Sequence, residues 1–319
     1  MRLKERLLTP LLVLFVLGAL PVRGQYFRNS NYWKTHRGEL MIGLGISNFL
    51  GELGGRDQIG SPFVWDLEFS QTKPAVSLGW RYYTREKQSV RANLTYGILA
   101  GNDNLTKDPA RMNRNLNFKS DVIELSICYE IHLYKEELGH IYDLRGVKGQ
   151  KSSRVGFYLF AGVGGFYFNP KGQFNNSYVA LQPLHTEGEG MPGGPPNYSL
   201  FQFCIPMGVG LRKALSKQWS AGLELQYTKT FTDYIDDVGG QYYDNAAIRA
   251  AYGPTAAYLA DPSLGLYPGQ TATHQERGYG NHNDAYLFLK FTLHYKIYKY
   301  NTQGGKKYRT RIRRQKIVF

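Results

Sequence analysis

The chain has 319 residues, a net charge of +14, and 36 glycines, 25 tyrosines and 17 phenylalanines. After the N-terminal segment, no run approaches the ~18 apolar residues of a membrane-spanning helix, which excludes a helical membrane protein. The two cysteines, Cys128 and Cys204, have no metal-ligating companion at a useful spacing, which excludes a cysteine-based metal fold.

The N-terminus has the pattern of a secretory signal peptide. Three basic residues within the first six positions precede a Leu-rich segment (7–20), and Val22 and Gly24 suit the small-residue positions of a cleavage site. We therefore expect residues 1–24 to be removed and the mature chain to begin near Gln25. An uncleaved anchor is the alternative, but the short apolar segment and the proline after it disfavour that. An exported chain without a membrane-spanning helix is either soluble or a closed barrel.

Eight segments alternate apolar and polar residues with the period of two that is typical of β-strands. In the fourth segment, Ile123 and Leu125 face one way and Glu124 and Glu130 face the other. One face suits lipid and the other a polar interior, which is the pattern of a membrane β-barrel. In chain order the segments are 38–50, 75–84, 89–101, 120–134, 153–168, 199–215, 219–234 and 284–298.

The connections between these segments alternate in length. Two are tight (85–88 and 216–218), and 135–152 is the one that breaks the contrast. Outer-membrane barrels have short periplasmic turns, long external loops and an even number of strands. The sequence therefore predicts an all-β fold, an eight-stranded antiparallel transmembrane outer-membrane β-barrel over residues 25–298, with both ends in the periplasm. The predicted external loops are 51–74, 102–115, 169–198 and 235–283.

The inward face of the predicted strands is rich in charge. The interior of a barrel of ~8 strands is only wide enough for side chains, and buried charges require partners. We therefore predict a packed polar network in the lumen instead of an open pore. Cys128 and Cys204 also point inward, on strands that are not neighbours, so free buried thiols are favoured over a disulfide. The predicted network consists of Arg81, Arg91, Glu124, Glu130, His132, Arg212, Glu224, Lys290, His294 and Lys296.

Catalytic motifs are mostly missing. The H-E-x-x-H and G-x-S-x-G patterns do not occur. The stretch GVKGQKSS (146–153) is weakly similar to a phosphate-binding loop, but Gln150 interrupts it, so a polar turn is favoured. A barrel enzyme using Glu130, His132 and His294 is a further alternative, although pairing inside the lumen explains the same residues.

Two acidic clusters lie in or directly beside the predicted external loops. Asp233, Asp236, Asp237 and Asp244 do not have the spacing of a calcium-binding loop, so we favour a solvated or self-capping loop. The other cluster contains Glu187 and Glu189 beside His185. A general acid/base pair is the sharper hypothesis there, and a hydrophilic external loop is favoured.

The C-terminal segment 299–319 carries eight basic residues and no acidic ones. Nucleic acid is excluded by the predicted compartment. The segment could bind the anionic inner leaflet of the outer membrane, dock a periplasmic protein, or be a disordered end. Interleaved apolar residues, such as Tyr308 and Ile312, argue against a fully solvated segment.

Five stretches carry a family likeness: GLGISNFLGELGG (43–55), GFYFNPKGQ (165–173), ALQPLHTEGEG (180–190), TDYIDDVGGQYYDN (232–245) and NDAYLFLKFTLHYKI (283–297). Together they resemble a family of Bacteroidota outer-membrane barrels that includes PorG of the type IX secretion system. His185 and Glu189 depart from the Gly and Gln that are commoner in the family.

This resemblance implies a non-enzymatic outer-membrane component without a cofactor. It implies contact with periplasmic ring proteins of the secretion machine (PorK and PorN), which the barrel would anchor or align. The alternative is a barrel that binds a ligand or lipid through its long external loops. The expected contact surface is the tail and the 135–152 connection, with Glu136, Glu137, Asp143, Arg145, Lys306, Lys307, Arg309, Arg311, Arg313, Arg314 and Lys316.

Overall fold

The structure is a computed structural model that describes residues 32–51, 53, 71–105, 108–138, 153–216, 218–278 and 283–297. The predicted signal peptide, most of the 135–152 connection with its phosphate-loop-like stretch, and the basic tail lie outside the described residues. Among the helices in this part of the chain, none is long and apolar enough to cross a membrane.

Eight strands form a closed antiparallel ring, as the sequence predicts. Each strand of the ring pairs with the next along the chain, and the last returns to the first, with Gly38 opposite Ile297 and Leu50 opposite Ala285. Two short strands, β5 (Glu137–Leu138) and β7 (Ser177–Ala180), pair with β6 alone. The ring strands are β1 (Gly38–Leu50), β2 (Lys73–Arg85), β3 (Gln88–Asn102), β4 (Asn117–Tyr134), β6 (Ser153–Phe174), β8 (Phe201–Ala214), β9 (Trp219–Thr230) and β10 (Ala285–Ile297).

Two strand ends differ from the prediction by more than three residues. Strand β9 stops at Thr230, because the chain beyond it turns over the barrel, where the carboxylate of Asp284 accepts a hydrogen bond from Ile235 N (3.0 Å). Strand β6 continues to Phe174 and forms a hairpin with β7 through Asn175 and Asn176, which have φ values of 46° and 61°. Asparagine tolerates this left-handed conformation. The first part of the predicted loop 169–198 is therefore strand.

The helices are short. They are α1 (Tyr32–Thr35), α2 (Pro109–Arg114), α3 (Asn245–Tyr252) and α4 (Pro254–Ala260). Asp108 caps α2 by accepting a hydrogen bond from Ala110 N, and Asp244 caps α3 by accepting one from Ala246 N. Helices α2, α3 and α4 all lie at the end of the barrel that carries the long connections. We call this end the external rim and the opposite end the periplasmic rim, following the usual orientation of outer-membrane barrels.

The outer wall of the barrel is apolar. On β4, Leu125 and Ile127 are 60% and 58% exposed, and the outward apolar run extends from Ile123 to Leu133. At a rise of ~3.4 Å per residue and a tilt of ~40°, this run spans about 25 Å along the barrel axis, which matches the lipid-facing band of an outer-membrane barrel. Trp80, Tyr82, Trp219 and Tyr295 lie near the periplasmic rim, as expected for an aromatic girdle.

The interior has two layers. The half near the periplasmic rim holds charged side chains, whereas the half near the external rim is filled mainly by aromatic rings. Phe166 packs against Tyr286 with 5.8 Å between ring centroids, and Tyr286 packs against Phe288 at 5.2 Å. The polar network predicted for the lumen therefore occupies only part of it. Cys128 and Cys204 are both free and buried, which confirms the prediction of free thiols.

A charge in the middle of the outer wall tests the membrane-facing assignment. We expect Ile127→Arg to lower the free energy of unfolding in lipid vesicles by ~2–4 kcal/mol, because it lies near the middle of the apolar band. The matched variant Leu133→Arg, at the periplasmic end of the same band, should cost ~0–1 kcal/mol. Urea titrations followed by tryptophan fluorescence measure both values. Equal costs at the two positions would contradict a lipid-facing wall.

Candidate functional site

Arg81 lies at the centre of the charged layer and has no exposed surface. Its guanidinium donates to both carboxylate oxygens of Glu130, at 2.5 Å from Nε and 2.9 Å from Nη2. Nη1 donates to Glu39 at 3.3 Å. A planar guanidinium is suited to such bidentate contact, so Arg81 links strands β1, β2 and β4 through one side chain.

Arg212 closes the network at the periplasmic rim. Two of its nitrogens donate to the two oxygens of Glu39, each at 2.8 Å, and Nη1 also donates to the hydroxyl of Tyr83 at 2.8 Å. Its Nε lies 2.8 Å from Glu136 Oε2. The second oxygen of Glu136 accepts from Lys296 Nζ at 2.6 Å and from the Ser220 hydroxyl at 3.0 Å. Glu136 follows the end of β4, so a connecting residue completes the lumen.

A second ion-pair group lies nearer the middle of the barrel. Arg91 donates to Glu224 and lies 3.3 Å from Glu130, which joins the two groups. Lys290 Nζ is 3.1 Å from the other oxygen of Glu224. The Tyr158 hydroxyl also donates to Glu224, at 2.9 Å. All four side chains are almost fully buried, so Arg91 and Lys290 are neutralised by the nearby carboxylates and not by solvent.

Glu124 lies at the boundary between the two layers and is held by neutral donors. Its carboxylate accepts hydrogen bonds from the Gln226 amide at 2.9 Å, the Tyr286 hydroxyl at 2.9 Å and the Thr228 hydroxyl at 3.1 Å. Gln226 in turn accepts from Lys290 Nζ at 2.8 Å. The Gln226 amide therefore lies between the Lys290 ammonium group and the Glu124 carboxylate and forms a hydrogen bond with each.

The two lumen histidines are structural members of this network. Nδ1 of His294 lies 3.3 Å from Arg81 Nη1, and because arginine only donates, Nδ1 must accept. The proton is then on Nε2, which donates to the Thr292 hydroxyl at 3.0 Å. Nε2 of His132 lies 2.9 Å from the Ser89 hydroxyl, which itself donates to Glu130. Both rings are therefore occupied, and both are almost fully buried.

The lumen charges balance. All ten predicted members of the network lie inside the barrel, but they comprise five cations and only three carboxylates. The structure adds Glu39 and Glu136, which makes five of each sign when both histidines are neutral. The excess of two cations in the predicted network is a signal that further acidic residues face the lumen, since buried charges require compensation. Glu39 also lies on the inward face of the first predicted strand.

The residues predicted to form the periplasmic contact surface lie in different places. Glu136 lies in the mouth of the barrel, where Arg212 and Lys296 neutralise it, so its carboxylate is occupied inside the protein. Glu137 is in β5, opposite Arg154. Asp143, Arg145 and the seven tail residues lie outside the described residues.

A folded cap covers the external rim, built from the described residues of three segments, 103–116, 181–200 and 231–284. Arg277 is its central residue and is 2% exposed. Its Nη1 donates to Glu187 at 3.0 Å and to the carbonyl of Asp237 at 2.6 Å, while its own carbonyl accepts from Arg114 Nη1 at 2.7 Å. Arg114 is held by a bidentate pair with Asp103. One arginine therefore joins all three cap segments.

Five of the six acidic residues in the two predicted clusters are buried, which corrects the expectation of hydrophilic, solvated loops; Asp244 is exposed, as expected. Glu187 and Glu189 are 1% and 2% exposed, and Glu187 accepts hydrogen bonds from the backbone of residues 239 and 240. Asp237 has no exposed surface and accepts from Thr186 and Tyr198. In the described residues, no group of three or more His, Cys, Asp or Glu is arranged to hold a metal ion.

The self-capping part of the prediction is confirmed. Asp236 accepts a hydrogen bond from Val238 N at 3.1 Å, and Asp244 is the N-cap of α3. The ring of His185 stacks on the ring of Tyr252, with 4.5 Å between ring centroids. The backbone of His185 is in the left-handed region, with φ of 50°. Sequence reasoning missed Arg277 and Arg114, because their partners are distant in the chain and follow no periodic pattern.

A closed antiparallel barrel with an apolar outer wall and a filled polar and aromatic interior defines a transmembrane β-barrel of the outer-membrane type. The chain belongs to the family described as a domain of unknown function (DUF6089), whose model matches residues 26–253. A comparison with curated proteins finds none that matches this chain.

Several solved structures are similar to this chain. Neisserial surface protein A has 9% identity, with 82% of this chain and 97% of that chain covered and a TM-score of 0.35. Ail of Yersinia pestis has 9% identity, with 82% and 99% covered and a TM-score of 0.35. OprG of Pseudomonas aeruginosa has 10% identity, with 83% and 98% covered and a TM-score of 0.34. The closed pairing and the apolar wall define the class independently of these likenesses.

Removing the carboxylate at the periplasmic mouth tests the charge balance. We expect Glu136→Gln to lower the free energy of unfolding by ~2 kcal/mol, because Arg212 and Lys296 then share one buried carboxylate fewer. Lys87→Gln, in the exposed turn between β2 and β3 at the same rim, is the matched control and should change it by less than ~0.5 kcal/mol. Urea titration in vesicles measures both. An unchanged value for Glu136→Gln would show that the mouth pairs contribute nothing.

The stability of the cap should depend on pH. Burial, with the charge of Glu189, raises the pKa of Asp237 from 3.8 to about 7. Burial also raises the pKa of Glu189. Between pH 4 and 7 the folded cap holds a proton that the unfolded loop releases. The cap should therefore be most stable at the acidic end of this window and lose stability as the pH rises to about 7.

Limited proteolysis of the cap at pH 5 and pH 8 measures this dependence. Asp237→Asn should flatten it, since the amide does not titrate. Asp244→Asn is the matched control in the same loop, because asparagine also caps helices well. If Asp237→Asn cleaves with the same ratio between the two pH values as the unchanged protein, then Asp237 does not set the dependence.

Proposed function

We propose that the protein is a non-enzymatic outer-membrane scaffold of the type IX secretion machinery, which anchors or aligns a periplasmic ring built from PorK-like and PorN-like proteins. The observation that carries this proposal is the filled, charge-balanced lumen. A barrel whose interior is filled by side chains that neutralise one another leaves little room and few polar groups for a transported solute. Interaction at the two rims is then the function that remains for it.

The periplasmic rim is the better candidate for the ring contact. Strand β10 ends at Ile297, opposite Gly38, so the chain leaves the barrel at the periplasmic rim and continues into the basic tail. The eight basic residues of 299–319 suit a partner with an acidic surface, because complementary charge steers and orients association. The resemblance to the PorG-containing family supports the choice of partner.

The role of Glu136 changes which part of the 135–152 connection could take part. Because its carboxylate is held by Arg212 and Lys296, Glu136 fixes the start of the connection against the mouth. The contact residues in the connection would then be Glu137, Asp143 and Arg145, beyond the fixed point. Glu136 itself would act on the partner only by positioning the connection.

The histidine-based enzyme hypothesis has little structural support. Glu130, His132 and His294 are 0%, 4% and 0% exposed, and each is engaged by lumen neighbours. A substrate would have to displace the ion pairs that fill the barrel. The alternative of a ligand-binding barrel has the cap as its candidate surface, because the cap is a folded unit instead of a set of separate loops.

A pull-down from native outer membranes separates these functions. The full-length protein and a chain that ends after Tyr298 are purified in a mild detergent, and the co-purifying proteins are identified. We expect periplasmic ring proteins with the full-length protein and at least tenfold less with the shortened chain. The control is the cap variant Arg277→Met, which should retain the ring proteins.

The other outcomes assign the function differently. Ring proteins that accompany both chain lengths equally would move the contact from the tail to the 135–152 connection. Ring proteins that accompany neither form, with both forms folded and in the membrane, would refute the secretion role. Their loss in Arg277→Met alone would favour a function through the external cap.

A further inference from the structure

A small charged cluster interrupts the outer wall near the external rim. On β4 and β6, Lys119 lies directly opposite Lys171 in the strand register, and Asp121 lies two residues closer to the periplasmic rim. These side chains share the outward face with Ile123 and the rest of the apolar band. Two like charges directly opposite each other are normally unfavourable in a sheet, so this pair requires an explanation.

The contacts within the cluster leave one positive charge in excess. Lys171 Nζ lies 2.7 Å from Asp121 Oδ2, and the Tyr96 hydroxyl donates to the other oxygen of Asp121 at 2.9 Å. Lys119 Nζ lies over the ring of Tyr178, 5.4 Å from its centroid. The carboxylate is thus fixed from two sides. The cluster has two ammonium groups and one carboxylate, a net charge of +1.

The height of the cluster matches the headgroup layer of the external leaflet. Lys119 is four residues beyond Ile123, where the apolar band ends. At ~3.4 Å per residue and a tilt of ~40°, this places Lys119 about 10 Å outside the hydrocarbon layer. Register pairing puts Lys171 at the same height. Both ammonium groups therefore face sideways, into the layer that contains the charged groups of lipids.

We propose that Lys119 and Lys171 form a binding site for a phosphate group carried by a lipid of the external leaflet. Two ammonium groups on adjacent strands can contact one phosphate from both sides, and lysine binds phosphate well as a point charge. Asp121 positions Lys171, and the ring of Tyr178 holds the ammonium group of Lys119 through a cation–π contact. The bound phosphate offsets the repulsion between the two lysines.

Strand β9, which is two strands from β6 around the ring, provides a comparison. Lys229 on β9 is also outward, exposed and close to the external rim. Its register partners are Ile205 and Ala285, so it has no charged neighbour across either strand pair. A general attraction of lysines to anionic lipid would involve Lys229 equally. The proposed site requires the paired arrangement on β4 and β6.

Native mass spectrometry of the full-length protein with lipid A tests the proposal. The protein in detergent is titrated with lipid A that carries its two phosphates. We expect Lys119→Gln/Lys171→Gln to weaken binding about tenfold, and Lys229→Gln to change it less than twofold. Lys119→Arg/Lys171→Arg keeps both charges and should bind within about threefold of the unchanged protein. Heat-dependent gel mobility shows that each variant is a folded barrel.

Three results would overturn the site. Binding by the double glutamine variant equal to that of the unchanged protein would show that the cluster does not bind phosphate. An equal loss in Lys229→Gln would show a nonspecific cationic surface. Displacement of lipid A by inorganic phosphate at the same concentration would show a site for free phosphate instead of a lipid-borne one.

Dephosphorylated lipid A should bind the unchanged protein and the double glutamine variant equally.

Discussion

The structure depends on neutralising charge inside a barrel whose interior is filled by side chains. An ion that is moved from water into such an interior costs several kcal/mol unless partners replace its hydration. The ring of eight strands brings five cations and five carboxylates to one interior, and no single strand carries a balanced set. Arg81 shows the result, because it holds carboxylates from β1 and β4 and is itself on β2. The charges can therefore be satisfied only when the ring is closed.

This constraint also explains the two layers of the lumen. Charged side chains fill the half near the periplasmic rim, where Glu136 can reach in from a connection and complete the pairing. The other half is filled by rings such as Phe166 and Phe288, which require no partners. Glu124 lies between the layers and is satisfied by hydroxyl and amide donors alone. Within the barrel, polarity thus declines towards the external rim, and buried ion pairs return only in the cap above it.

The barrel could be predicted from the sequence because each strand carries its own period-two signal. The alternation on β4 fixes the orientation of every residue from Ile123 to Leu133 without knowledge of any neighbour. The same parity assigns the ten lumen residues correctly. It placed the end of β9 four residues too late, because the apolar residues after Thr230 pack in the cap rather than in the sheet.

The cap could not be predicted in this way. Arg277 and Glu187 are 90 positions apart, and their pairing depends on how two long loops fold over the barrel. The sequence alone therefore predicts solvated loop acids, whereas Asp237 is fully buried. It predicts Glu136 on a partner surface for a related reason, since a connecting residue carries no periodic signal that would place it inside the lumen. Contacts between loops form only after the closed barrel has brought the loops together. The strands of the barrel, by contrast, can each be recognised from their own residues.

The cap also has a mechanical consequence. The β3–β4 and β9–β10 connections leave the ring at opposite points of its circumference, and they are joined above it by Arg114 to the carbonyl of Arg277 and by Asn115 to the carbonyl of Pro262. A link across the diameter resists flattening of the circular cross-section into an ellipse. Lateral pressure from the lipid, or a load applied at the other rim, would then be carried as tension or compression in this link. The link therefore braces the barrel across its diameter, and the cross-section should stay circular when one side of the barrel is pulled.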